Sequence, residues 1–302
     1  MVAVSKGYLV PGPDFAGNVH SVFATACNLA VDGRLLTVHD AASPHTPTSV
    51  RVTGWRPRAQ AGDPARCVAG VLSFGEHVLD LRALPVWTPP SPAPSVIVDV
   101  EDAEDAEEVA RIREQYVEAE GIVVPGLTER AESLLEALVG RAESLPGALV
   151  GRAGSPSGVL AGRAGSPSGE PGRRDVSEAV ARLVGFGPGL TPSGDDLLVG
   201  VLAVLSRGGG GAAFHTLASV VRRHAGRTTD VGAHYLRLAA GGHFGEPIVN
   251  LVDALVTGAG RAAVPARTKA ALRVGASSGA DGVAGVLLGL RALGSCPDRK
   301  AA

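Results

Sequence analysis

The sequence is short of cysteine, of net charge and of long apolar runs. Its three cysteines, Cys27, Cys67 and Cys296, lie far apart and are odd in number. They offer neither a metal-ligand spacing nor a disulfide framework, which suits a reducing compartment. Lys and Arg total 28 against 30 Asp and Glu, a formal net charge of −2. The basic residues are scattered rather than clustered, so nothing points to nucleic acid or an anionic membrane. The opening MVAVSKGYLVPGPDF lacks the apolar stretch of a signal peptide. The longest apolar runs, Leu197–Leu205 and Val283–Leu290, are too short to cross a bilayer. No nucleophile elbow, Cys–His pair or Ser–His–Asp arrangement can be read, which leaves covalent catalysis without support. His215, His224, His234 and His243 show no metal spacing and read as structural. The expectation is a soluble cytoplasmic protein, and 302 residues suffice for one large or two ordinary domains.

What is present in abundance is glycine, and it concentrates where chemistry can sit. Gly185-Phe-Gly-Pro-Gly-Leu-Thr-Pro-Ser-Gly-Asp-Asp-Leu197 places four glycines, two hydroxyls and two adjacent carboxylates before an apolar run. Gly and Pro forbid a regular element there and let a backbone approach a ligand closely. Ser193 reads as a helix N-cap, with Asp195 and Asp196 in the first turn, where acids suit the helix dipole. A glycine loop feeding a helix start presents free N–H groups, the usual way to hold phosphate or carboxylate. Two carboxylates would repel such an anion unless a cation lies between, and Mg²⁺ is the natural candidate. The stretch is not a P-loop, since no Lys follows the last glycine, and it is not the dinucleotide fingerprint.

A second copy of this pattern lies near the C-terminus. Ser278-Gly-Ala-Asp-Gly-Val-Ala-Gly-Val-Leu-Leu-Gly-Leu290 aligns without gaps on Ser193–Leu205. In both, a hydroxyl and a glycine precede a helix carrying Asp196 or Asp281, with Gly200 or Gly285 four residues on along the same face. Glycine inside a helix costs roughly 1 kcal/mol against Ala, so close helix–helix or helix–ligand approach is the expected return. We read two related loop-to-helix units facing each other across one site; the plainer reading is two ordinary capped helices.

The organisation around these motifs is α+β: a small antiparallel β-rich N-terminal domain followed by a mostly helical C-terminal domain. Residues 1–125 carry the strand signals, with Val31–Arg34 as the turn of a hairpin ending in Leu35–Val38. Val19–Leu29, Val50–Thr53, Cys67–Phe74, His77–Leu81 and Ser95–Val100 are further candidates, as in a barrel or sandwich. The acidic stretch Asp99–Glu120 has helical spacing at Val109, Ile112, Tyr116 and Ala119 and reads as a helix with a solvated face. Residues 126–174 contain four 11-residue units built on RAESL or RAGSPSG. The first two are compatible with helix, the last two with flexible linker. Residues 175–302 read as seven helices: 176–184, 195–206, 212–225, 232–240, 247–257, 266–274 and 282–293. Arg222, Arg223 and Arg227, just before Thr228-Thr229-Asp230, are candidates to clamp a carboxylate. Surface placement, with Thr229 or Asp230 as an N-cap, is the plainer reading. Ser21 and Asn28 fall on a strand and read as ladder-edge polar groups.

The string Gly187–Asp196 resembles the signature of a bacterial family that includes the AllH-type subunit of oxamate carbamoyltransferase. HSVFATACNL, GRLLTV, Thr228-Thr229 and GASSGADGVAGVLLGL fit the same family, so the resemblance covers most of the chain apart from the repeats. Two positions depart from it: Gly232, where a Ser is expected, and Gly282, where a larger residue is usual. The resemblance implies a part in carbamoyl transfer between oxalurate and phosphate, within a hetero-oligomer containing an acyl-CoA-synthetase-like subunit. No organic cofactor is expected, and Mg²⁺ is the only ion considered. On this reading Gly187, Gly189, Thr191, Ser193 and Gly194 hold phosphate, and Asp195 and Asp196 bind Mg²⁺ or orient the attacking amide nitrogen. Ser277, Ser278 and Gly279 hold the second anion beside Asp281, and Thr228 and Thr229 line the wall. Transfer between small anions needs orientation and charge stabilisation rather than a protein nucleophile. The rivals are a structural or regulatory subunit, a family enzyme acting on another small carboxylate, and a nucleotide-binding enzyme, the last weakened by the missing P-loop Lys.

Overall fold

A computed structural model of the chain describes residues 1–91, 101–142, 175–257 and 261–295. The first part is a single curled sheet of nine strands: β1 (Val2–Gly7), β2 (Phe15–Val22), β3 (Ala26–Val31), β4 (Arg34–Asp40), β5 (Ser49–Thr53), β6 (Pro64–Val68), β7 (Val71–Phe74), β8 (His77–Asp80) and β9 (Val86–Trp87). Their order is β8-β7-β6-β2-β3-β4-β5-β1-β9. Pairing is antiparallel except for β4 with β5 and β1 with β9. β8 and β9 occupy opposite edges of the sheet, yet only Leu81–Pro85 separate them in the chain. Five residues reach at most roughly 18 Å, so the sheet must curl until its edges nearly meet. Lys6 holds that closure, its N–H bonding Pro85 O at 3.0 Å and its Nζ bonding Leu81 O at 2.9 Å. Register slips in β1 between Ala3 and Ser5 and in β2 between Val19 and Ser21 supply local bends that aid the curl.

The predicted hairpin at Val31–Arg34 is present, with Asp32 and Gly33 both at positive φ, as a tight two-residue turn requires. The stretch predicted as one strand, Cys67–Phe74, is instead two. Ala69 and Gly70 adopt positive φ and fold β6 back on β7. Its apolar pattern ran through the turn and hid it. Inside the curl, Cys27, Leu29, Val31, Leu36, Val38, Val50, Val52, Leu72 and Phe74 form one core. The opposite face of β3, β4 and β5 is buried too, through Asn28, Leu35, Thr37, His39 and Ser49. A sheet with both faces covered must have something packed on its outside.

That cover is helical: α1 (Glu101–Glu120), α2 (Leu127–Ala142), α3 (Val176–Leu183), α4 (Ser193–Arg207), α5 (Gly211–His224), α6 (Asp230–Ala240), α7 (Glu246–Thr257), α8 (Val264–Leu272) and α9 (Ser278–Gly294). The seven helices predicted from residue 175 onward correspond to α3–α9. The acidic helix was grouped with the strands, but Val109 and Ile112 are buried in the helical core. The first of the 11-residue units, read as compatible with helix, lies within α2 at the beginning of the 126–174 segment. The spacing of Leu134, Leu135, Ala137 and Leu138 gives α2 an apolar stripe, and that stripe packs in the same core. Residues 143–174 and the candidate strand Ser95–Val100 lie outside the described residues.

Polar contacts join the sheet to the helices. His234 on α6 accepts from Leu35 N–H through Nδ1 at 3.2 Å, and its Nε2 meets Thr48 Oγ1 at 3.1 Å. Glu246 at the start of α7 brackets His45, accepting from its N–H at 2.9 Å and donating its own N–H to His45 O at 2.9 Å. Tyr8 and His243 meet at 2.9 Å. Among the described residues no helix is long and apolar enough to cross a membrane.

A candidate site at two helix starts

The two motif copies pack directly on one another. A Cβ on Gly200 of α4 would collide with Gly282 O of α9, and a Cβ on Gly285 of α9 would collide with Leu197 O of α4. Offsetting the chain by the motif spacing exchanges these two contacts, so α4 and α9 are related by an approximate two-fold. The motif glycines at the helix starts match as well. Gly194 lies against Leu183 O at the end of α3, and Gly279 against Ala271 O at the end of α8. These four glycines serve close backbone packing. By contrast Gly187 and Gly189 adopt φ of +106° and +97°, and they shape the loop itself.

The loop is fastened from within. Asp195, 1 % exposed, accepts from Gly185 N–H at 2.8 Å and from Thr228 Oγ1 at 2.5 Å, so each of its oxygens has a partner. Burial raises its pKa, and these two hydrogen bonds act the other way. Thr229 caps α6 by accepting from Gly232 N–H at 2.9 Å, and it donates to Leu190 O at 2.5 Å. Thr228 and Thr229 therefore pin the loop from outside rather than line an open wall. Ser193, predicted as the N-cap of α4, is its first helical residue; Pro192 holds the cap position, without a side-chain bond. The Gly194 N–H is spent on Phe186 O at 2.8 Å, which reduces the free donors the loop offers an anion.

Within the two motifs, unsatisfied buried atoms lie at the helix starts. Asp196 Oδ2 and Asp281 Oδ2 are buried and have no hydrogen-bond partner, and the buried Ser193 Oγ faces the Asp281 carboxyl without a well-formed hydrogen bond. Ser193 and Asp281 are each 1 % exposed. Burial pushes the Asp196 carboxyl well above the usual carboxylate range; the hydroxyls of Ser278 and Thr191 oppose the rise, and the charges of Asp281 and Asp195 add to it. Burial also raises Asp281, against the Ser193 and Ser277 hydroxyls and the Arg113 guanidinium. The two acids thus face each other crosswise with the two motif serines. Thr191 and Ser278 close the group at 2.7 Å between hydroxyl oxygens. Arg113 reaches in from α1 and donates its Nε–H to Ala280 O at 2.8 Å.

Tyr235 of α6 connects this group to the sheet. Burial and the charge of Asp196 raise its pKa, while a hydrogen bond with Thr37 of β4 lowers it. From Thr37 the polar chain runs along the sheet: Thr37 Oγ1 donates to Asn28 Oδ1 at 2.8 Å, and Asn28 Nδ2 donates to Ser21 Oγ at 3.2 Å. Asn28 is therefore an interior group rather than a ladder-edge residue, and the half-buried Ser21 ends the chain of bonds. The extra residue at His20 in β2 sets Ser21 opposite Asn28. Tyr235, Thr37 and Arg113 were missed in the sequence because they lie far from the glycine motifs. The arginines weighed as clamps do not join the site: Arg222 bonds Ala240 O, Arg223 bonds Ser219 and Arg227 meets His224.

Residues 183–290 match a family model described as oxamate carbamoyltransferase subunit AllH. Residues 5–86 match the AllH family N-terminal domain. The chain belongs to the AllH family. No solved structure matches it. The two spans contain the Ser193–Asp196 and Ser278–Asp281 groups, Tyr235 and the sheet residues that face them, and they leave out α1, α2 and the 11-residue repeats. The AllH family is named for a subunit of a multi-subunit transferase.

Proposed function

We propose that this chain carries the small-anion site of a carbamoyl-transferring complex, located where the starts of α4 and α9 meet the outer face of the sheet. The observation that carries this reading is the pair of buried carboxylate oxygens without partners, Asp196 Oδ2 and Asp281 Oδ2, where the two helix starts meet. A buried polar atom left unpaired costs roughly 1–3 kcal/mol, a cost that a ligand can offset. In the reaction, a phosphate oxygen attacks the carbamoyl carbon of oxalurate. The bond from that carbon to nitrogen breaks, and the nitrogen leaves as the amide of oxamate. That nitrogen needs a proton, and Asp196, kept protonated by burial, is placed to give it. In reverse, the Asp196 carboxylate takes the proton as the oxamate nitrogen attacks carbamoyl phosphate. Tyr235 and Ser278 orient the reacting groups.

Mg²⁺ would take the free oxygens of Asp196 and Asp281 rather than those of Asp195, which are engaged. Two carboxylates plus a substrate phosphate is an ordinary Mg²⁺ donor set, and the ion would supply charge neutralisation. Titrating carbamoyl phosphate with and without Mg²⁺ separates the roles. Affinity that depends on the ion assigns the two acids to metal, and affinity that does not assigns them to protons. The chain would act in a hetero-oligomer with an acyl-CoA-synthetase-like subunit. A second reading, a structural subunit with the chemistry elsewhere, draws on Gly194, Gly200, Gly279 and Gly285, which all serve packing within the chain.

A further inference from the structure

The acid pair at α4 and α9 explains proton handling but offers little positive charge to an anionic ligand. A separate group on the sheet does. β4 and β5 run parallel in a register that sets His39 beside Arg51. Val38, Val50 and Val52 fill the interior of the curl, so His39 and Arg51 project from the outer face. The connection between the strands doubles back and brings His45 to the same place, where Arg51 Nη1 donates to His45 Nε2 at 2.8 Å. Arg51 Nη2 donates to Ala41 O, and His39 Nδ1 donates to Asp40 O at 3.0 Å. The ring of His45 stacks on Trp87, 5.4 Å between centroids and 3° from parallel, which fixes its orientation.

These bonds leave four buried atoms without partners: His39 Nε2, His45 Nδ1, Thr46 Oγ1 and Arg51 Nε. His39 and His45 are only 5 % and 8 % exposed. Their partners also assign their protons. His45 accepts at Nε2, so Nδ1 bears the hydrogen, and His39 donates at Nδ1, so Nε2 is bare. The group therefore holds three unpaired donors, His45 Nδ1–H, Thr46 Oγ1–H and Arg51 Nε–H, and one unpaired base, His39 Nε2. The nearby acids are occupied: Glu246 binds His45 N–H and Asp40 binds Ala42 N–H.

We propose that His39, His45, Thr46 and Arg51 form a binding site for a small oxyanion, a phosphate or a carboxylate. The guanidinium and the Thr46 hydroxyl donate to the anion, His39 gains a proton at Nε2 to donate a third hydrogen bond, and His45, bonded to Arg51 through Nε2, orients the guanidinium. Burial and the charge of Arg51 hold both imidazoles below their ordinary pKa in the free protein, and a bound anion reverses that balance. His39 lies two residues beyond Thr37 on the same face of β4, and Thr37 is bonded by Tyr235 beside Asp196. The oxyanion site thus borders the acid pair, and binding there stands independently of the transfer step proposed above.

The test is nuclear magnetic resonance of the imidazole nitrogens in the full chain, titrated with inorganic phosphate and, separately, with oxamate. Saturable shifts of the His39 and His45 signals are expected. Thr46→Val removes a hydroxyl that makes no hydrogen bond, so it leaves the fold intact and weakens binding several-fold. Arg51→Gln weakens binding by roughly tenfold or more, as loss of a charged hydrogen-bond donor does. Asp196→Asn leaves the imidazole response in place. A response to phosphate alone makes the site one for phosphoryl groups, to oxamate alone one for carboxylates, and to both a general oxyanion site. Signals unmoved by either anion in the folded protein would overturn the proposal. So would a response equal in the wild type and Thr46→Val, or one lost in Asp196→Asn and kept in Arg51→Gln.

Discussion

Asp195 and Asp196 are adjacent in sequence and opposite in circumstance. Both oxygens of Asp195 are used to fasten the loop to Thr228 and Gly185, while Asp196 keeps one oxygen buried without a partner. Asp195→Ala should therefore cost about 1–3 kcal/mol of unfolding free energy, since it removes both bonds that fasten the loop, from the Gly185 N–H and the Thr228 hydroxyl. Asp196→Asn should cost little, because it removes a carboxylate whose charge burial disfavours. The pH response follows the same logic. The folded pKa of Asp196 is raised, so its contribution to stability is fully present below the unfolded value and is lost as pH rises through the folded one. Denaturant titrations of both variants across pH check this: Asp196→Asn should flatten the decline with rising pH, and Asp195→Ala should be weakened throughout. The sequence marked both acids as one pair. Their division of labour was not legible because it depends on Thr228, 33 residues away.

The unit of design at the next scale is the α4–α9 pair. Gly200→Ala should destabilise by about 1–3 kcal/mol, because its Cβ has no room against Gly282 O. Gly282→Ala is the contrasting case. Its Cβ would meet nothing nearer than Ile248 at 3.4 Å, so the gain in helix propensity should leave it neutral or stabilised by up to ~1 kcal/mol. Thermal melts of the two variants should move in opposite directions or show a loss for Gly200→Ala alone. The pairing of these helices was legible because the two motif copies carry glycine at matching positions. The end of β6 was not, since Cys67–Phe74 is apolar enough to read as one strand and only the backbone at Ala69 and Gly70 reveals the turn. The β4–β5 register that gathers His39, His45 and Arg51 was equally hidden, as parallel pairing leaves no local spacing signal.

Across the whole molecule, two apolar cores meet through a polar seam, and His234 is its most deeply committed group. Burial, then the charges of Arg237 and Arg34, lower its pKa to about 4. The unfolded imidazole titrates near 6.5, so its contribution is present above that value and is lost as pH falls toward 4. The difference amounts to about 3 kcal/mol. Stability should fall over that acid window, and His234→Gln should reduce the dependence, as read by unfolding midpoints from pH 7 to pH 4. The α+β order of the chain was legible from strand signals followed by helical periods. The allegiance of α1 and α2 was not, because it is decided by Val109, Ile112 and Leu134 reaching a core assembled from distant helices. All of these features serve one central claim, that the buried acids at the starts of α4 and α9 form an anion site. Isothermal titration of oxamate and carbamoyl phosphate into the wild type and Asp196→Asn, side by side, tests it most directly. The expected result is a saturable binding event in the wild type that an equally stable Asp196→Asn loses, with only the heat of the His39–Arg51 site kept by both; identical isotherms from the two, or no heat from the folded wild type, would contradict it.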